Sequence, residues 1–354
     1  MAAIFVAGCS LTSTQRGPAA TPGPVHHYLY DAVDGAVVVY DIDHRNAVVK
    51  TVKVPQMTTV RGVAASAATG MLYASYNGKV PGQGALLAYN LLNDAVVWTR
   101  AFRPLTDSLC VTPNGQTIYM ASGEAATSTF WFVLDAATGA IRTTIDVGAA
   151  NTHDTVCSLD GRHAYLAAVS SPVLDEVATA TNQIIRRIGP FAGGLRPYTI
   201  NGKQTLAYVN VNRLLGFQIA DLTTGTVLRT VAVPGYTDGG SQVDPSHGIA
   251  LTPDERQVWV ADGGHQRVHV FDVSHVPSEP PALIGTVAVS GPAAWVNIDL
   301  GGRFAYVSTG DVISTSTLAI VGHVAPSYRQ LEVDFANGAV VATGANVSLG
   351  RVTS

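Results

Sequence analysis

The sequence predicts an all-β fold, a seven-bladed β-propeller closed by N- and C-terminal strands that share one blade. Three observations carry that expectation. One frame recurs: residues 246–264, SHGIALTPDERQVWVADGG, have counterparts at RGVAASAATGMLYASY, DSLCVTPNGQTIYMAS, HDTVCSLDGRHAYLAA, RPYTINGKQTLAYVNV and AAWVNIDLGGRFAYVS. An aromatic marks its phase, at Tyr73, Tyr119, Tyr165, Tyr208, Trp259 and Tyr306, with spacings of 46, 46, 43, 51 and 47 residues. Such a period, built of short β-like runs, is that of four-stranded blades rather than of a helical solenoid. Finally, 13% charged residues against 47% hydrophobic, with 35 Gly and 18 Pro in 354 residues, suits many buried strands joined by tight turns.

Taken in order, residues 1–24 (MAAIFVAGCSLTSTQRGPAATPGP) form a short apolar piece, the sequence VAGC and a Ser/Thr/Pro/Gly tether. This stretch resembles a bacterial lipoprotein signal, and the resemblance implies export, with a lipid on Cys9 at the mature terminus. The expected domain is then 25–354. Residues 25–57 alternate apolar and polar residues around a polar turn, as in AVVVYDID and AVVKTVKV, but lack a leading inner strand. YRQLEVDFANGAVVATG at the other end supplies it, with Val341 at the marker position, and the blade count becomes seven. A blade built from both termini leaves no unpaired edge in the ring. The tail TGANVSLG reads as the end of that closing strand.

The outer hairpins are legible in FWFVLDAATGAIRTTIDV and LLGFQIADLTTGTVLRTVAV, where Asp, Thr and Gly are turn residues. An insertion at residues 235–245 lengthens one interblade loop and is a candidate flap. Cys110 and Cys157 fall in apolar runs of adjacent repeats, one residue out of phase with each other, and are expected to be buried thiols. A net charge of −4 offers no basic field for nucleic acid, and no run of 18 apolar residues is present to span a membrane.

The repeated TPDxxxVWVAD and DxxxxAYVS stretches resemble the YVTN or YncE-like seven-bladed β-propeller proteins over residues 25–354. That resemblance implies a fold. The wider superfamily includes lactonases, lyases, dehydrogenase subunits and noncatalytic proteins, so the function must come from a site.

The frame itself points to one, because equivalent positions in successive blades lie on a ring about the axis. Twelve residues before each marker stand Arg61, Asp107, His153, Arg196, His247, Ala294 and, in the closing blade, Arg329; the next position adds Asp154 and Trp295. The loops after the markers bring Tyr76, Asn77, Glu124, Asn210, Asn212, Asp262 and His265 toward the same mouth, farther from the axis. Arginines can clamp a carboxylate or phosphate while an imidazole moves a proton. The candidate catalytic groups are therefore His153, His247 and Asp107. Arg61, Arg196, Arg329, Asp154, Trp295, Asp262 and His265 are the candidate substrate-binding groups.

The expected activity is a lyase or hydrolase step on a small anionic molecule or carbohydrate, of the uronate kind. Two alternatives stand beside it: a noncatalytic module that binds a ligand or protein, and a subunit of a larger redox or metal assembly. No resident metal is assigned, although His153, Asp154, His247 and His265 are a possible divalent-metal set. The chain is expected to be a monomer whose membrane contact is the lipid on Cys9. The remaining histidines, His26 and His27 among them, read as surface or satisfied core residues.

Overall fold

A computed structural model describes residues 23–236 and 244–354 of the chain. The lipoprotein-like leader with Cys9 lies outside the described residues, as does most of the candidate flap. Seven antiparallel sheets follow one another around a ring. Blades 2 to 7 each take four consecutive strands, from Val60–Ser66 in blade 2 to Ile320–His323 in blade 7. The first strand of each lines the channel and the fourth is outermost. The outermost strands are mostly exposed, with exposed and half-buried residues alternating in Gln183–Ile188, while the inner three strands of that blade are nearly all buried.

Blade 1 closes the ring. Its inner strand Gln330–Ala336 pairs antiparallel with His26–Val33, which continues to Ala36–Asp41 and Ala47–Lys53. The free edge of Gln330–Ala336 carries a fifth strand, Ala339–Thr343. The marker of this blade is consequently Leu29, not Val341. Leu29 faces Glu332, three residues past Arg329, as Tyr73 faces Ala64, three past Arg61. Val341 lies on the fifth strand and is 49% exposed. The frame misses Leu29 because the second strand of this blade comes from the opposite end of the chain.

Packing closes the ring as well. Seven apolar clusters each join consecutive blades, and the last joins Tyr306, Val312 and Val324 of blade 7 to Leu29, Tyr40 and Ile42 of blade 1. The marker aromatics are buried in these seams, and some carry a hydroxyl across them. Tyr119 donates to Asn182 Oδ1 (2.7 Å) in the next blade, and Tyr306 to Asn46 Oδ1 (2.9 Å).

Two further expectations change. Cys110 and Cys157 form a disulfide between the inner strands of blades 3 and 4, with Cα atoms 5.5 Å apart. Successive strand residues point to opposite faces, and neighbouring blades confront each other with opposite faces. A one-residue offset in phase is thus what lets two inner strands present cysteines to each other. The tail does not end the closing strand either: after Thr343, residues 344–351 run into the channel. Trp295 Nε1 of blade 7 donates to Asn346 O (2.7 Å), Leu251 N of blade 6 to Ser348 O (3.2 Å), and Gly350 N to Ile200 O of blade 5 (3.0 Å).

Candidate functional site at the channel mouth

Ring residues stand where the inner strands begin, and four sit at breaks in strand pairing. The register skips Arg61 between Val60 and Gly62, skips His153 between Thr152 and Asp154, and breaks around Arg196 and His247. A bulge leaves a residue out of the ladder and re-aims its side chain. Two glycines allow the blades to meet closely there. A Cβ on Gly62 would come within 2.8 Å of Ser108 Cα, and one on Gly248 within 2.6 Å of Trp295 Cα.

The charged groups form one network. Arg61 Nη2 donates to Asp107 Oδ2 (2.7 Å) and Glu124 Oε2 (3.0 Å), and Arg196 Nη1 donates to Glu124 Oε1 (2.8 Å). Glu124 therefore bridges two arginines; from the sequence it was expected only at the periphery. The length of the loop after each marker varies, so no frame fixes its reach. Arg196 Nε also donates to Asn212 Oδ1 (2.7 Å), and Asp244 lies 3.7 Å from Arg196 Nη1. Asp107 is fully buried and takes two backbone bonds, from Ser108 N (2.9 Å) and Glu124 N (2.8 Å). Burial alone would raise its pKa, but His153 and Arg61 outweigh burial and hold it below the usual carboxylate range.

The two imidazoles differ. His153 Nδ1 lies 3.6 Å from Asp107 Oδ1, an ion-pair separation longer than a hydrogen bond. Burial opposes its charge, yet Asp107 and Glu124 raise its pKa. The His247 ring centre is 5.6 Å from that of His153. Burial, reinforced by the charge of His153 and Arg196, lowers its pKa to about 3. Its Nδ1 lies 3.0 Å from Ala294 O. A carbonyl only accepts, so Nδ1 carries the proton and Nε2 the lone pair.

Arg329 is the exception among the arginines. Its guanidinium lies over the Trp295 ring, 4.7 Å from the centroid, and its Nη1 donates to Tyr328 O (3.1 Å). Among the described residues no carboxylate lies within ion-pair distance of it. Burial pulls its pKa down to about 10, with Asp107 acting against that. The His247 ring also neighbours Trp295, with 5.6 Å between ring centres. Beside His247 a cavity of about 440 Å³ opens between Asp244, Gly263, Gly264, Gln266 and Pro292.

Asp154 is buried below the ring; its Oδ2 accepts from Tyr198 N (3.3 Å). Asp262 and His265 belong to a separate group, in which Asp262 Oδ2 accepts from His265 Nδ1 (2.8 Å) and His269 Nε2 (3.0 Å). The possible metal set read from the sequence is not assembled among the described residues. His153 instead gathers with Asp107 and Glu124, all ligating atoms within 4.8 Å. Both carboxylates already hold Arg61, so a cation there would meet a guanidinium, and the donor set fits a divalent metal poorly.

Comparison with known proteins agrees with the fold. The NHL repeat model matches residues 247–271, within blade 6. No curated protein matches. The solved structure of Kuenenia stuttgartiensis hydrazine synthase is similar, with a TM-score of 0.68 at 15% identity, covering 88% of this chain and 100% of that one. At that identity the likeness establishes the propeller architecture alone.

Proposed function

We propose that this chain is an exported, monomeric propeller of the YVTN or YncE-like kind whose channel mouth binds a small carboxylate-bearing molecule, such as a uronate. On that molecule it performs a lyase or hydrolase step. The observation that carries the reading is Arg329: a buried guanidinium stacked on Trp295 without an acid partner among the described residues is a site for a ligand's carboxylate. A sugar would then occupy the cavity beside His247. Environments that push two titratable groups apart assign their roles. His247, neutral with its lone pair at Nε2, accepts a proton; His153, held charged by Asp107, returns one to the departing oxygen. The Cys110–Cys157 disulfide supports an oxidising compartment, in keeping with export.

A noncatalytic binding module is favoured by a different observation. Glu124 and Asp107 already neutralise Arg61 and Arg196, leaving one arginine to hold the ligand. The experiment is an assay of the full chain on uronate oligomers, reading the absorbance of a new conjugated double bond and the release of reducing ends. Turnover that falls by about 10²-fold or more in His247→Gln supports the catalytic reading. Uronate binding without turnover supports the binding module.

A further inference from the structure

A second cavity, of about 310 Å³, lies deeper in the channel, between the inner strands of blades 2, 3 and 4 and the inserted tail. It extends from Gly62 at ring level to Pro113 and Leu159 at the turns on the opposite face, a position distinct from the mouth pocket beside His247. Its volume is at the small end of ligand sites. The wall is chiefly aliphatic, with Val63, Leu109, Val111 and Val156 facing Val347 and Leu349 of the tail.

Some of the lining residues carry an unpaired polar atom. Asp154 Oδ1 and Ser66 Oγ have no hydrogen-bond partner among the described residues, and their side chains are 1% and 2% exposed. Burying a carboxylate oxygen unpaired is costly. Of the other lining charges, Asp299 holds Arg303 Nε (3.1 Å) and two backbone amides, and Arg351 Nη2 donates to Thr343 O (2.9 Å). His153 and Arg329 attract Asp154 from the mouth side, yet burial outweighs them and raises its pKa. The carboxyl remains short of a donor.

We propose that this cavity is a second binding site, for a small aliphatic amine, whose ammonium pairs with Asp154 while its alkyl chain lies along the Val and Leu wall. The hydroxyl of Ser66 offers a further polar contact lower on the same wall. The proposal is independent of what the mouth binds.

The test is calorimetric titration of the full chain with pentylamine, pentan-1-ol and pentanoate. We expect one equivalent of pentylamine to bind, at least tenfold more tightly than the alcohol or the acid. Asp154→Asn, which keeps the shape, should weaken the amine at least tenfold. Ala65→Leu, which fills the cavity away from the ring, should abolish binding; circular dichroism checks both folds. No amine binding, equal affinity for amine and alcohol, or unchanged amine affinity in Asp154→Asn would overturn the proposal.

Discussion

Glu124 sets the electrostatics of the mouth, since among the described residues it alone pairs with two ring arginines. Its consequence is that Arg329 becomes the group with charge to offer. The imidazoles should make stability depend on pH in opposite directions. His153 has a raised pKa, so its contribution is complete below the unfolded value of about 6.5 and is lost as pH rises. His247 has a lowered pKa, so its contribution is complete above about 6.5 and is lost as pH falls toward 3. Each contributes a slope of at most about 1.4 kcal/mol per pH unit. Melting temperatures from pH 4 to 9 should show His247→Gln flattening the acid limb and His153→Gln the alkaline limb; variants that parallel the parent at every pH would contradict the assignment. The phase of the repeat placed these residues because a ring position depends only on the inner strand. The partner of Arg61 and Arg196 escaped it because Glu124 sits on a loop.

At the scale of elements, the closing of the ring by both termini was legible, but the marker of that blade and the pairing of the two cysteines were not. Both errors come from treating each repeat alone. Leu29 carries the marker phase from the far terminus, and the Cys110–Cys157 pair needs the geometry of two facing blades. The disulfide spans 47 residues, and removing it should cost about 2–4 kcal/mol. Denaturant unfolding of Cys157→Ser reads that loss, and an unchanged midpoint would show the bridge to be idle. The closing blade also holds a buried acid pair: His27 Nδ1 lies 3.0 Å from Glu332 Oε1 and 2.8 Å from Asp334 Oδ1. Opposed and alternate strand positions bring the three to one face, a proximity invisible while His27 is read as an isolated histidine. Burial and Asp334 push the Glu332 pKa up to about 9, so stability is complete below about 4.5 and declines as pH rises toward 9. Glu332→Gln mimics the protonated form. Its melting temperature at pH 8 should equal or exceed the parent's, whereas a drop of several degrees would mean that the charged form is the one the blade uses.

For the whole molecule, the strongest signal was the period near 46 residues, which reflects that each blade must bury both faces against its neighbours. Seven interblade seams and a hydrazine synthase likeness covering 88% of the chain describe the same closed ring. The inserted tail was not legible, because residues 344–351 use backbone bonds and small side chains that carry no period. With the tail bound to blades 5 to 7, the channel has a mouth defined by the ring and a separate chamber beneath it. The account stands or falls on the mouth. Calorimetric titration of galacturonate into the full chain and into Arg329→Gln measures it most directly. The account predicts one site, weakened in the variant by the worth of a charge-assisted bond, about 2 kcal/mol or roughly thirtyfold. Equal affinity in both proteins, or no binding of galacturonate to either, would contradict it.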